Sequence, residues 1–433
     1  MTRPSQSNQE HRDRVVVCGV ILPGHPKEFD GELSEVRALV GAADGDVVGD
    51  TYIQRRDRPH PATLMGRGKV EEIHEEVELQ KPDAVVVDND LTPAQVRNLE
   101  QVWCVRVVDR SELILDIFSR RAQTRQARLQ VELAQNEYLL PRLRRMWTHL
   151  ERMEGAIGTR GPGETQLETD RRLLNKRVTD LRRELAVIKA RKERQVLTRA
   201  AEFKVGLVGY TNAGKSSILN YLTGSEEFAA DMPFATLDTR TRRWVLPNRR
   251  TVLLSDTVGF LQRLPHHLVA SFHATLEETL QADLLVHVVD ASHPDAPLQM
   301  RAVDEVLSSL SPRLEPEFIV LNKVDLVEDP IQLQLLLGER SATVVHTSVK
   351  TGEGLERLTA LISAELDARS TFVRVEIPVQ DGRTIALVKA HAAVQKEACE
   401  DGMMILHANC SPGTLGVLKR EAGDAVRFVT TDA

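Results

Sequence analysis

Eight residues in the middle of the chain constrain it most. Gly209-Tyr210-Thr211-Asn212-Ala213-Gly214-Lys215-Ser216 stands between an apolar run, Lys204 to Val208, and a helix-forming run that opens with Ser217-Ile218-Leu219. Glycines in a strand-to-helix turn let backbone N–H groups face an anion, and the helix N-terminus adds its partial positive charge. Such a cradle suits a phosphate chain. Lys215 is placed to reach β and γ phosphates, and through them the charge of a transition state, while the Ser216 hydroxyl is placed to ligate Mg²⁺.

The pattern around this loop is that of a doubly wound parallel sheet. Lys204 to Val208, Thr251 to Ser255, Leu284 to Asp290, Phe318 to Asn322 and Thr343 to Thr347 have the form of buried strands and alternate with helical segments as far as about Ser370. Asn322-Lys323-Val324-Asp325 ends one of these strands. The carboxylate of Asp325 can accept from both the ring N–H and the exocyclic amine of guanine, a donor pair that adenine lacks. Asn322 and Lys323 then brace the loop and cover the base. Asp256-Thr257-Val258-Gly259 pairs a carboxylate that can hold Mg²⁺ through water with a glycine whose N–H can sense a γ phosphate. Thr236, in Phe234-Ala235-Thr236-Leu237-Asp238, is the expected switch I threonine over Mg²⁺, with Thr239 and Thr241 as rivals. Thr347-Ser348-Val349-Lys350 fits a further guanine-contact loop, with Val349 in place of the more usual alanine.

The expected architecture is therefore α/β and multidomain, the P-loop domain occupying residues 202–370. Upstream, Val15 to Leu22, Val47 to Ile53, Ala84 to Asp88 and Val105 to Val108 have strand character, and Thr92-Pro93 is a helix start. These predict an N-terminal α/β domain over 15–110 behind a flexible stretch 1–14. Between 111 and 201 the strand signal vanishes. Leu129, Leu133, Asn136, Leu140, Leu143, Trp147 and Leu150 form one heptad seam, and Leu167, Leu174, Val178, Leu181, Leu185 and Ile188 form another. The two predict a long antiparallel helical hairpin with a Gly-rich tip, Gly155 to Gly163, its first arm divided near residue 140 by Pro141. A small C-terminal α/β domain over 371–433 follows, with strands at Val373 to Val379, Met403 to Ala408 and Ala425 to Val429 and a helix across Thr384 to Ala398.

Composition narrows the partners. No apolar run approaches the roughly 18 residues of a membrane span, and the first 14 residues carry no apolar core for a secretory signal. Cys18, Cys104, Cys399 and Cys410 lie too far apart for paired zinc spacing. A cytoplasmic protein, monomeric and without DNA as a partner, is expected. Net charge is −7, yet 20 Arg or Lys face 12 Asp or Glu between Asp116 and Phe203. That basic stretch is either a solvated helical face or an electrostatic footprint for phosphates.

Further residues sharpen the reading. Gly161-Pro162-Gly163-Glu164-Thr165-Gln166-Leu167-Glu168-Thr169-Asp170-Arg171-Arg172 resembles the signature of the HflX family of ribosome-associated GTPases. So do Gly66-Arg67-Gly68-Lys69, Leu113 to Phe118, Gln130 to Gln135, Gly209 to Asn212 and Leu264 to Val269, over about residues 14–430. The resemblance implies a GTPase that binds the large ribosomal subunit and its ribosomal RNA and splits stalled or idle ribosomes. It assigns the RNA footprint to the helical pair and its tip, including Arg160, Arg171 and Arg172, although intrahelical pairs with Glu164, Glu168 and Asp170 are the competing use of these arginines. At Glu154-Gly155-Ala156-Ile157-Gly158 the chain departs from the longer glycine run of many members. Asn212 occupies the place that holds a monovalent cation in related potassium-stimulated GTPases, which adds K⁺ to GTP, GDP and Mg²⁺ as an expected cofactor.

Other readings stay open at this level: a checkpoint GTPase of large-subunit assembly, an RNA-binding module that uses GTP only as a conformational lock, or a metabolic P-loop kinase, which leaves Asn322-Lys323-Val324-Asp325 unexplained. His266 and His267 are read as exposed, and Trp103, Trp147 and Trp244 as packing residues. Gly66, Gly68 and Lys69 form either an anion site or a structural turn.

Overall fold

The valine-rich run Asp13–Ile21 (β1) is buried on both faces, the condition for an internal parallel strand. It lies between Gly45–Arg55 (β2) and Ala84–Val87 (β3), and Arg106–Asp109 (β4) completes a four-stranded parallel sheet in the order β2-β1-β3-β4. The protein is seen here in a computed structural model that describes residues 12–23, 33–143, 162–198, 202–225, 233–234, 240–248, 250–261, 282–311, 316–328, 342–422 and 426–430. Helices Ser34–Ala42 (α1), Arg67–Gln80 (α2) and Pro93–Trp103 (α3) link the strands. Thr92 and Gln95 cap α3 reciprocally, as hydroxyl-then-proline predicts. Trp103 is buried beneath α2, its indole N–H donating to the Val70 carbonyl at 3.0 Å.

Helix Arg110–Arg121 (α4), capped by Asp109, follows β4, and Arg125–Leu139 (α5), capped by Thr124, follows it. Pro141 lacks the N–H that would continue α5, so the chain passes into a single 3₁₀ turn, Leu140–Arg142. A long helix, Pro162–Thr198 (α6), comes later. Seam residues Leu129, Leu133, Asn136, Leu143, Val178 and Leu181 are buried. Glu132 accepts from both Nε and Nη2 of Arg177, at 2.6 and 2.8 Å, and Glu184 accepts from Arg125 at 3.2 Å. Trp147, Leu150, Arg160 and the tip as far as Gly161 lie outside the described residues.

The phosphate-loop domain builds on a six-stranded sheet in the order β10-β9-β8-β5-β7-β6, from Phe203–Gly209 (β5), Arg240–Val245 (β6), Thr251–Asp256 (β7), Leu284–Asp290 (β8), Phe318–Asn322 (β9) and Thr343–His346 (β10). Only β6 runs antiparallel to its neighbour. Its helices include Lys215–Thr223 (α7), Ala296–Leu310 (α8) and Leu355–Ala368 (α9). The connection from β5 leads to one side of the sheet and that from β8 to the other, so the carboxyl ends of these neighbouring strands form a topological switch point, where open α/β sheets bind ligands.

The C-terminal region corrects one expectation. A helix does not cross Thr384 to Ala398: it spans Gly382–His391 (α10), and Ala393–Glu400 (β12) is a strand. The full order is Thr371–Pro378 (β11), α10, β12, Met403–Cys410 (β13), Pro412–Glu421 (α11) and Arg427–Thr430 (β14), with sheet order β12-β13-β11-β14, antiparallel throughout. Gln395, Lys396 and Glu397 tolerate a helix, but pairing with β13 overrides that local preference.

The chain divides into two units, one reaching to Leu185 and including Phe234, the other containing the six-stranded and C-terminal sheets. No helix among the described residues is long and apolar enough to cross a membrane.

Candidate nucleotide-binding site

β5 delivers the phosphate loop and α7 receives it. A Cβ on Gly209 would stand 2.2 Å from the Val288 carbonyl oxygen, and one on Gly214, at φ +94°, would stand 2.2 Å from Asn322 Nδ2. Both positions therefore need glycine. Lys215 is buried at the start of α7, its ammonium donating to the carbonyls of Gly209 at 3.0 Å and Tyr210 at 2.7 Å. Burial pushes this amine down to about 8, against the opposing pull of Asp256. An anion brought to the loop would strengthen its preference for the charged form.

Asp256 ends β7 with no exposed surface, and the Ser216 hydroxyl donates to it at 2.5 Å. The two predicted magnesium positions thus meet. Thr257 is buried with its hydroxyl on the Leu207 carbonyl, which fixes the turn after β7. Gly259 packs so closely that a Cβ would come within 2.8 Å of Thr211 Cα. Phe260 then bridges back to the loop: its N–H donates to the Gly209 carbonyl at 3.1 Å and its carbonyl accepts from Thr211 N–H at 2.8 Å.

The base loops are braced to the phosphate loop. The Asn322 amide donates to the Ala213 carbonyl at 3.0 Å and accepts from the Thr347 hydroxyl at 3.3 Å. The Ser348 hydroxyl donates to Asp325 at 2.7 Å, orienting an otherwise exposed carboxylate. Lys323, at φ +62°, pairs with Asp290 at 2.7 Å. Asp290 was not among the predicted residues, and its only sequence signal is a carboxylate at the carboxyl end of β8. Val349 follows Ser348 in the turn, and Asn212 is exposed at φ +63°.

Around switch I the structure is selective. Thr236 and Thr239 lie outside the described residues, as do His266 and His267. Thr241 sits in β6, its hydroxyl 2.9 Å from that of Ser255. Phe234 is buried in the first unit, edge-on to Phe118 with ring centroids 4.6 Å apart and planes at 80°.

The donor set fits a magnesium nucleotide. Hydroxyl and carboxylate oxygens are the hard ligands that Mg²⁺ takes, and a buried ammonium beside a helix N-terminus complements a polyphosphate. Fold and site together define a P-loop GTPase. Residues 30–119 match a family described as the GTP-binding GTPase N-terminal region, 121–199 its middle region, and 204–323 the 50S ribosome-binding GTPase family. The chain is 42% identical over 372 residues to the GTPase HflX of Escherichia coli, covering 86% of this chain and 87% of that one. It is 40% identical over 400 residues to that of Lacrimispora saccharolytica (92% and 93% covered) and 39% identical over 428 residues to that of Magnetococcus marinus (97% and 98% covered). The chain belongs to the HflX family of GTPases.

Proposed function

We propose that this GTPase binds the large ribosomal subunit and uses GTP to split or remodel stalled or idle ribosomes. The match of residues 204–323 to the 50S ribosome-binding GTPase family supports the ribosomal part of the reading, and the brace from Ala213 through Asn322 to Thr347, which ties the phosphate loop to the base loops, supports the use of one nucleotide by both. GTP is held by residues 209–217, by Asp256 to Gly259, by Asn322, Lys323 and Asp325, and by Thr347 to Val349. Ser216 and Thr236 would hold Mg²⁺, with Asp256 acting through water, and Asn212 would hold K⁺. The bound metal supplies positive charge to the β and γ phosphates. Lys215 adds its own charge there, Gly259 offers its N–H to the γ phosphate, and Thr236 would complete the metal's protein ligands. Asp325 selects guanine by accepting two N–H donors.

The helical pair carries the ribosomal RNA footprint. Arg171 and Arg172 are exposed and form no ion pair among the described residues, while the paired arginines of α6 reach across to α5. A division into domains at 15–110, 111–201, 202–370 and 371–433 accompanies this assignment. Sedimentation with isolated ribosomal subunits, with and without a nonhydrolysable GTP analogue, tests the reading. Analogue-dependent comigration with large subunits is expected, and it should weaken, with a flatter salt dependence, when Arg160, Arg171 and Arg172 are replaced together. Absence of comigration overturns it. Light scattering of intact ribosomes separates splitting from a role confined to assembly precursors.

A further inference from the structure

The C-terminal sheet has one face packed under its helices and one face that is half-buried at its centre, where Ile405 is 5% exposed, and exposed along its outer strands. Val373, Val375 and Ile377 of β11 and Leu406, Ala408 and Cys410 of β13 form a buried core with Val388 of α10 and Leu418 of α11. Strand alternation sends the intervening residues to the opposite side. Register places Phe372 opposite Asn409, Arg374 opposite both His407 and Val429, Glu376 opposite Arg427, and Lys396 opposite His407. These residues share the face away from the packed core of α10 and α11; Lys396 and Arg427 are exposed there and Phe372, Arg374, Glu376, His407 and Asn409 half-buried.

The topology gives that face a particular form. A strand-helix-strand-strand-helix-strand chain with sheet order β12-β13-β11-β14 puts its first and third strands at the centre. Those two strands each present one flat ring, Phe372 from β11 and His407 from β13. The rings lie with centroids 5.9 Å apart and planes inclined by 28°. A pair of rings with near-parallel planes on adjacent central strands is a surface on which unpaired bases can stack. Cations rim it. Lys396 and Arg427 are exposed on the outer strands, and Arg374 lies between them, its Nη2 on Glu376 at 2.8 Å and its Nε enclosed without a hydrogen-bond partner. Arg374 and Glu376 neutralise one another, which leaves Lys396 and Arg427 against Glu400, an excess of one positive charge that favours an anionic backbone over an acidic partner. Asn409, beside Phe372, supplies an amide able to donate and accept at a base edge or a 2′-hydroxyl.

We propose that this face of the C-terminal sheet is a binding site for single-stranded RNA, with bases stacked on Phe372 and His407 and phosphates met by Arg374, Lys396 and Arg427. This site is distinct from the nucleotide site and from the basic helical pair.

Fluorescence anisotropy of the full chain with a labelled twelve-nucleotide oligouridine, at low salt, tests it. Phe372→Ala and His407→Ala should each weaken binding by about fivefold to a hundredfold, the range expected for losing one stacked base. Phe372→Tyr, which keeps the ring, should retain affinity. Replacing Arg374, Lys396 and Arg427 by alanine together should reduce the salt slope, whereas replacing Arg171 and Arg172 should leave these ratios unchanged. Basal GTP hydrolysis by the same variants, at the wild-type rate, reports that the fold is intact. Equal affinities for wild type and the Phe372→Ala, His407→Ala pair overturn the proposal. So does single-stranded DNA of the same length binding as tightly as RNA, and failure of the wild type to bind at all would return this face to a protein partner.

Discussion

The Ser216 hydroxyl donates to the Asp256 carboxylate across 2.5 Å, joining the first turn of α7 to the end of β7. A serine on a phosphate loop and an aspartate on the adjacent strand are held at hydrogen-bond distance by sheet pairing of β5 with β7. Both oxygens are hard ligands suited to Mg²⁺.

Ser216→Ala should therefore separate metal from nucleotide affinity. The alanine removes a metal ligand while Lys215 and the backbone cradle remain, so GDP binding without Mg²⁺ should change little. Mg²⁺ should lose its ability to tighten GTP, and turnover should fall by at least tenfold. Titration of a fluorescent GTP analogue with and without EDTA checks both parts, and an unchanged Mg²⁺ effect would place the metal elsewhere.

Asp325→Asn exchanges a double acceptor for an amide that donates on one side. Ser348 still has an oxygen at position 325 to bond, so the loop should keep its shape. GTP should bind more weakly and xanthosine triphosphate more tightly, because its 2-oxo group accepts the new donor. Competition between the two nucleotides reads the switch directly. Retained preference for GTP contradicts the base assignment.

Arg110 gives a prediction about stability rather than turnover. It is buried at the start of α4, where burial opposes its charge but Glu35 and Asp88 outweigh that and hold its pKa above the ordinary value. Glu35 lies 2.7 Å away, and Asp88 accepts a further bond. Arg110→Met leaves two carboxylates enclosed without their partner, which should cost about 3–5 kcal/mol. Urea unfolding followed by tryptophan fluorescence should show the transition of the N-terminal sheet at lower urea. Adding Glu35→Gln and Asp88→Asn should recover part of the loss, and no recovery would mean that packing rather than charge is at stake.

These cases mark what is legible in a chain of this kind. The phosphate loop and Asn322 to Asp325 declare themselves because backbone geometry and ligand chemistry act within a few consecutive residues. Arg110 does not, since its partner Glu35 is 75 positions away and only the folded sheet brings them together. The same holds for Phe234 against Phe118, and for Asp290 against Lys323. β12 differs from the helix its residues predict because an edge strand of polar, helix-tolerant residues takes its conformation from its neighbour, β13. Strand patterns buried on both faces, β1, β3, β5 and β8, were plain for the opposite reason.

Asn212 bears on the monovalent cation. Its left-handed φ of +63° and exposure place it at the outer edge of the phosphate loop. A K⁺ ion held there would lend positive charge to the phosphates without an arginine. Turnover should be faster in K⁺ than in Na⁺ at equal ionic strength, and Asn212→Ala should erase the difference. Equal rates in the two salts for the unaltered chain remove K⁺ from the site.

Phe260 sets the expectation for the unaided rate. It directly follows Gly259, where Ras-type enzymes place the glutamine that orients the attacking water. Its ring is buried at 4% exposure, and its backbone is stitched to Gly209 and Thr211 of the phosphate loop. An apolar ring held in this way cannot hydrogen-bond a water. Hydrolysis by the isolated chain should be slow although GTP binds well, and the missing contact should come from the partner or from a rearrangement that the partner induces. Large ribosomal subunits should raise turnover by at least about a hundredfold, below the roughly 10³ to 10⁵ that a supplied arginine gives. Phe260→Gln should not restore fast hydrolysis, because the backbone bonds that fix position 260 do not depend on its side chain and the new amide would start from the same buried direction. Single-turnover hydrolysis of both forms, with and without purified large subunits, decides the matter. Fast turnover by the unaltered chain alone would show that it already holds a complete catalytic site, and a fast Phe260→Gln variant would show that position 260 faces the water after all.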